Sequence, residues 1–261
     1  MMNKNDFDEK LLLSKAQDCV KKAQGRGEPY FLPFLSPAQR LCIEHELRYS
    51  RDDVRIIFYG GYDGAEYMCA GFFPTYLFYD ENYDPTDDFP VRAVLAKGSG
   101  FRKLSHRDFL GSMMSLGLRR EMLGDIVVSD DSYSAHVFTY EKTDEYLVSF
   151  FTSAANDRIV CTLCDGEVFI PEKKYESITD TVSSPRLDAV VCSCLNVSRE
   201  QSGKLIVAGS VSLDHAVCTD KSKICDEGAV ISIRHFGRFL LHKIGDRNRR
   251  DRLRIEIRRF V

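Results

Sequence analysis

Arg186 and Arg199 are the residues whose placement suggests chemistry most directly. Each stands where an apolar period opens a helix. Ser184 is the expected cap of the first helix, with Pro185 at its first position. Ser198-Arg199-Glu200-Gln201 has the spacing of a capping box for the second. A helix start leaves backbone N–H groups without intrahelical acceptors and carries the positive end of the helix dipole, so it suits an anion. A guanidinium beside it adds charge-assisted, bidentate hydrogen bonds that fit a phosphate. Arg186, Ser198, Arg199 and Lys204 are therefore expected to bind phosphates. The competing reading pairs Arg186 with Asp188 or Glu200 on a solvated face.

Other residues invite chemistry and lose it on inspection. Arg186-Leu187-Asp188 mimics the catalytic triplet of pseudouridine synthases, but Val191 stands where those enzymes need Thr. His106-Arg107-Asp108 mimics a kinase catalytic loop, yet Met113 occupies the position of the required Asn. Tyr59-Gly60-Gly61-Tyr62 lacks the Gly-Lys-Ser/Thr of a phosphate loop. Cys161-x-x-Cys164 and Cys192-x-Cys194 do not share the spacing of a zinc knuckle, and no His accompanies them, so buried thiols are expected and no metal or cofactor. Asp63, Glu66 and Asp108 are the carboxylates an RNA-acting enzyme would use, if the chain were one.

Composition bounds the rest. A 44% hydrophobic and 29% charged chain of 261 residues fits a folded, water-soluble protein of two or three domains. No stretch approaches the roughly 18 apolar residues of a membrane span, and the polar start does not read as a signal peptide. Nine cysteines, an odd number, fit reduced thiols in a cytoplasm. The net charge of −3 is unevenly spread. From Ser183 onward there are 15 basic and 9 acidic residues, or +6; the remainder has 21 and 30, or −9. A basic C-terminal third behind an acidic body suggests a polyanion-binding module.

The elements that must position these residues follow from periodicity. Asp6–Gln24 reads as a helix, Phe31–Leu35 as an apolar link, and Ser36 caps a second helix with Pro37 at its first position. Val54–Tyr59 and Tyr67–Phe73 read as strands around the Gly60–Gly64 turn. Asp80–Pro90 is a candidate linker. Strand Val91–Ala96, helix Ser105–Leu116, strands Gly124–Ser129 and Ala135–Tyr140, helix Asp144–Ala155, and a last strand at Ile159–Leu163 or Val168–Ile170 give β-α-β-β-α-β, the ferredoxin-like order. Phe138 and Tyr140 could stack bases on its sheet, but the first strand offers no aromatic partner. Lys103, Arg107, Arg119 and Arg120 flank its first helix instead, as a secondary RNA contact. Pro171–Thr181 reads as a link. Beyond the two basic-third helices, short strands are expected at Val211–Leu213, Val230–Ile233, Phe239–Ile244 and Leu253–Ile257. In the last of these, arginines alternate with apolar residues. Its outer face and the loop Asp246–Arg250 could track a phosphate backbone.

Arg186-Leu187-Asp188, Ser198-Arg199 and Lys204-Leu205-Ile206-Val207-Ala208-Gly209-Ser210-Val211 together resemble the αL RNA-binding module, named after a small-subunit ribosomal protein. Motifs along nearly the whole chain resemble the YlmH family. They are Phe31–Pro37, Phe58–Glu66, His106–Ser112, Arg119-Arg120-Glu121 before Gly124–Val128, and Gly237-Arg238-Phe239. The chain departs from that family at Gly228-Ala229, where Gly-Asp is usual, and at His235, where Gly is usual. The resemblance implies an α+β protein with an N-terminal α/β domain (1–80), a central RNA-recognition-like domain (81–172) and a C-terminal αL domain (183–261). It adds Arg234 and Arg238 to the RNA-binding set. It implies a non-enzymatic, cytoplasmic, bacterial protein, monomeric and without a membrane partner. Its partners would be structured RNA, both ribosomal RNA and tRNA, on the large ribosomal subunit. Its role would lie in quality control of stalled subunits, with an older link to cell division. An RNA-modifying enzyme anchored by the αL domain, or a protein-interaction adaptor, are the alternatives.

Overall fold

A computed structural model describes residues 4–47, 53–164, 168, 170 and 175–260. It is a mixed α+β protein of two compact units, Met1–Pro171 and Glu172–Val261.

The first unit opens with α1 (Lys4–Arg26), whose Leu12, Ala16, Cys19, Val20 and Ala23 recur at helical spacing and are buried. The expected link at Phe31–Leu35 is instead a strand, β1 (Tyr30–Leu35), which an apolar run buried on both sides can form without alternation. Helix α2 (Pro37–Leu47) starts as expected: Ser36 N–H donates to Gln39 Oε1 at 2.8 Å, and Gln39 N–H donates to Ser36 Oγ at 3.4 Å. Strands β2 (Val54–Tyr59) and β3 (Met68–Pro74) complete an antiparallel sheet in the order β1-β3-β2. Alternation along β3 sends Ala70 and Phe72 toward α1 and α2, and Cys69 and Phe73 to the other face.

The central block contains β4 (Val91–Gly98), α3 (His106–Ser115), β5 (Leu123–Val128), β6 (Ser134–Tyr140), α4 (Thr143–Phe150), β7 (Ser153–Ala154) and β8 (Asp157–Leu163). Its antiparallel sheet has the order β5-β6-β4-β8-β7. Helix α4 is shorter than the expected Asp144–Ala155. Ala155 (φ 48°) and Asn156 (φ 67°) take left-handed conformations in a tight turn between β7 and β8, which no helix can include. One sheet face packs Val94, Ala96 and Val137 on Phe109, Met113 and Leu147 of the helices. On the other face Phe138 and Tyr140 are 1% and 7% exposed, packed with Phe34, Cys69, Phe73 and Phe89. The aromatics that could have stacked bases are therefore core. Of the alternative last strand, Val168 and Ile170 are described and pack against this cluster, while Phe169 lies outside the described residues.

Asp125 on β5 joins the two sheets of this unit. Its carboxylate accepts from Tyr62 OH at 2.7 Å, from Glu66 N–H at 2.7 Å and from Tyr67 N–H at 3.0 Å. Burial and this bond push the Tyr62 phenol well above its ordinary range. Gly61 is needed in the clasped loop: its φ is +96° and a Cβ there would lie 2.4 Å from the Phe138 ring.

In the second unit the expected link Pro171–Thr181 yields a strand, β9 (Tyr175–Val182), paired along its length with the C-terminal strand. Then come α5 (Leu187–Leu195), α6 (Arg199–Val207), β10 (Val211–Leu213), β11 (Ala216–Val217), β12 (Val230–Ile233), β13 (Gly237–Arg247) and β14 (Leu253–Phe260). The antiparallel sheet runs β11-β10-β12-β13-β14-β9. Leu187, Val190, Val191 and Ile206 pack on Ile231, Phe239, Leu241, Ile255 and Ile257. Ser193 Oγ donates to Asp180 Oδ2 at 2.6 Å and ties α5 to β9.

Asp125→Ala removes an ionic acceptor of three hydrogen bonds. The expected loss is roughly 2–4 kcal/mol of first-unit stability, read as a lower urea midpoint by tyrosine fluorescence. An unchanged midpoint would show that the clasp is incidental.

Candidate nucleic-acid interface

The start of α5 differs from expectation in how it is capped. Ser184 and Pro185 lie outside the helix, and Arg186 is its N-cap, with no side-chain cap bond. The helix amides are satisfied by a neighbouring loop instead. Leu187 N–H donates to the Lys223 carbonyl at 2.8 Å and Asp188 N–H to the Lys221 carbonyl at 3.1 Å. Cys225 N–H returns to the Pro185 carbonyl at 2.8 Å. The N–H groups expected to await an anion here are already used. Arg186 is half-exposed and lies bidentate on Asp188, Nε–Oδ1 at 3.1 Å and Nη2–Oδ2 at 3.3 Å, with the Asp188 side chain only 11% exposed.

Helix α6 behaves as its capping box promised. Gln201 N–H donates to Ser198 Oγ at 3.2 Å and Ser198 N–H donates to Gln201 Oε1 at 3.1 Å. Among the described residues the Arg199 and Glu200 amides have no acceptor, so the open helix start belongs to α6. Ser202, fully buried, donates to the Asp188 carbonyl at 2.9 Å and fixes α6 against α5. Arg199 is exposed. Lys204 pairs with Glu200 at 2.7 Å, both largely exposed, a contact worth only about 0.3–0.5 kcal/mol and readily exchanged for a phosphate.

A cation that the helix pattern did not single out completes this face. The Lys221 stem lies over Gly203, where a Cβ would stand 3.3 Å from Lys221 Cδ. Arg199, Glu200, Gly203, Lys204 and Lys221 line a groove of about 440 Å³. The only hint in sequence was a glycine inside a helix, which marks a close approach without naming the partner.

Arg234 and Arg238 bracket the β12–β13 turn. Arg234 is exposed, its amide donating to the Ser210 carbonyl at 2.9 Å, and the Arg238 guanidinium sits 4.9 Å from the centre of the Phe260 ring. His235 holds φ 70° in that turn, the left-handed conformation glycine favours.

The first-unit cations differ among themselves. Arg120 donates to the Leu123 and Gly124 carbonyls and stacks 4.0 Å over Tyr67, so it is a structural residue of the Asp125 region. Arg119 pairs with Glu121 at 2.8 Å; Lys103 and Arg107 are exposed. Of the carboxylates an enzyme would use, Asp63 is exposed and Asp108 is committed to capping α3. Its bonds from the Ser105 hydroxyl and amide hold its carboxyl below the usual range. Cys161 faces the core, where burial pushes its thiol up to about 11. Among the described residues no three His, Cys, Asp or Glu gather as metal ligands.

Two family models match. Residues 85–163 match the "Putative RNA-binding domain in YlmH", and residues 185–231 match the S4 domain. The chain is 32% identical over 254 residues to the ribosome-associated protein quality control protein P2 of Bacillus subtilis (strain 168), covering 97% of this chain and 95% of that one. Among solved structures it is similar to the cell division protein ylmH from Streptococcus pneumoniae. That match has 19% identity and a TM-score of 0.48, over 63% of this chain and 94% of the other.

Arg186 and Arg199 should separate by stability. Arg186→Ala strands a nearly buried carboxylate and is expected to cost roughly 1–3 kcal/mol. Arg199→Ala, at an exposed site, is expected to change stability by less than about 0.5 kcal/mol. Thermal unfolding of both variants checks this, and equal stability would mean that the Arg186–Asp188 pair does not support the fold.

Proposed function

The chain belongs to the YlmH family, and from that premise we propose that it is a non-enzymatic RNA-binding protein that acts on the large ribosomal subunit in quality control of stalled subunits. The observation that carries this reading is the groove on α6. Arg199, Lys204 and Lys221 line it along α6, and at the start of the same helix the Arg199 and Glu200 amides are open among the described residues. It lies in the segment that matches the S4 domain. Such a surface binds backbone phosphates and positions a folded RNA rather than reading its sequence. In this reading Arg199, Lys204 and Lys221 contact phosphates. Arg186 and Ser198 hold the helix starts in place, and Arg234 and Arg238 extend the contact along the β12–β13 turn. Ribosomal RNA beside a bound tRNA is the target.

The central block, read as ferredoxin-like from its strand order, offers Lys103, Arg107 and Arg119 as a secondary contact, with Arg120 behind them. Its sheet aromatics are buried, which argues for a helix-side contact. The division into domains 1–80, 81–172 and 183–261 fits this assignment of roles, the first two sharing one compact unit. No helix among the described residues is long and apolar enough to cross a membrane. A monomer in the cytoplasm, needing no cofactor, is the state proposed.

Crosslinking the intact protein in cells and sequencing the bound RNA tests the target, with large-subunit ribosomal RNA and tRNA expected. In vitro, Arg199→Ala with Lys221→Ala should lower the slope of log affinity against log salt by about 1–2 units. Parent-like affinity and slope in that variant, or crosslinks confined to other RNAs, would overturn the reading.

A further inference from the structure

Residues after Ile231 lie beyond the segment that matches the S4 domain, yet 232–261 holds 10 basic and 3 acidic residues. Seven of the basic residues are arginines between Arg247 and Arg259. The structure sorts them. Arg247 pairs with Asp251 at 3.2 Å and donates to its carbonyl at 2.7 Å. Arg252 donates to the Thr181 hydroxyl at 3.1 Å and to its carbonyl. Arg258 lies 3.9 Å from Glu256 and 5.6 Å from the Tyr175 ring centre; Arg259 lies 3.5 Å from Glu176. These four serve the sheet. Arg249, Arg250 and Arg254 are exposed, and among the described residues their guanidinium groups have no ion pair or hydrogen bond.

Arg249 and Arg250 stand at the apex of the β13–β14 hairpin, and the loop that carries them is ordered by one side chain. Asn248 Oδ1 accepts from Arg250 N–H at 2.9 Å and from Arg252 N–H at 3.1 Å. The Asn248 backbone N–H donates to the Arg252 carbonyl at 2.8 Å, and Asp251 closes the turn at φ 58°. Below the apex, Lys243 and Arg254 line a groove of about 440 Å³ together with Thr179 and the carboxylates Asp246 and Glu256, so the cations without a partner lie mainly at the apex. Between Asp246 and Arg252 there is no apolar side chain. A protein partner would need an apolar centre to bury. A phosphate backbone needs only fixed, unpaired cations.

We propose that the β13–β14 hairpin is a second contact for the phosphates of a folded RNA, with Arg249 and Arg250 at its apex and Arg254 and Lys243 along its groove. It rests on the RNA-binding reading above and adds to it a separate site. In the sheet, β12 lies between this hairpin and β10, the strand that follows α6. Two linked contacts on one RNA multiply in affinity, since the second forms at high effective concentration. The ordered loop limits the entropy lost when it binds.

The test uses the full chain and purified large-subunit ribosomal RNA over a salt series. Arg249→Ala with Arg250→Ala should reduce the salt slope by about 1–2 units and affinity about 10-fold, on the scale of charge-assisted hydrogen bonds. A charge-matched pair on α1, Lys10→Ala with Lys21→Ala, should leave both unchanged. Combining the hairpin pair with Arg199→Ala and Lys221→Ala should add the two losses. Parent-like binding by the hairpin variant, while the α6 variant fails, overturns the second contact and leaves the function standing. An equal loss in the α1 control also overturns it, as a general charge effect. A hairpin variant that loses binding to polyglutamate but not to RNA overturns it in favour of an acidic protein partner. If the parent binds no ribosomal RNA, both readings fall.

Discussion

Two backbone hydrogen bonds set the arrangement of the basic unit: Leu187 N–H to Lys223 and Asp188 N–H to Lys221. A helix start must satisfy its first amides, and α5 does so with a loop rather than a side chain or a ligand. That choice has consequences. The loop is pinned, so the Lys221 side chain is laid over Gly203 of α6. Arg186 turns onto Asp188 and closes the helix end electrostatically. Ser202 then bonds the Asp188 carbonyl, and α6 is held at the position where its own start is open. The positive end that can meet a polyanion is thereby moved from α5 to α6.

The same logic of occupied and unoccupied groups runs through the molecule. In the first unit, a carboxylate on one sheet satisfies a phenol and two amides from a loop of the other, and the aromatic faces beneath are closed. Arg120 is spent on carbonyls and a ring. Along β14, Arg258 and Arg259 have partners in the sheet and Arg254 faces solvent. Charge density in sequence therefore overstates the surface that can bind RNA, because much of it is internal bookkeeping of the fold. In the second unit, the cations without an ion pair among the described residues include Arg199 and Lys221 beside α6 and Arg249, Arg250 and Arg254 on the hairpin.

Local chemistry was legible from residues alone. The capping boxes at Ser36, Ser105 and Ser198 each involve a side chain and an amide three residues apart, so spacing suffices. The element order of the central block was legible from periodicity and turns, apart from β7, which falls inside the expected helix Asp144–Ala155. Strand β1 was not, because Tyr30–Leu35 is apolar throughout and carries a proline. Strand β9 was not, because most of Tyr175–Val182 is exposed and gives no alternating signal; it forms because β14 offers it an edge. At the site, the arginines and the second helix start could be named in advance. The fate of Arg186 and the arrival of Lys221 could not. Both depend on a loop that closes 33 to 38 residues away in sequence from the helix start it caps, as the spacing of Leu187–Lys223, Asp188–Lys221 and Arg186–Ile224 shows.

Amide hydrogen exchange on the intact protein, with and without large-subunit ribosomal RNA, measures this division of labour directly. The Leu187 and Asp188 amides should be protected in the free protein and unchanged by RNA. The Arg199 and Glu200 amides should exchange quickly when free and become protected when RNA binds. Fast exchange at Leu187 and Asp188 in the free protein, with protection appearing there on RNA binding and not at α6, would contradict it and return the phosphate site to α5.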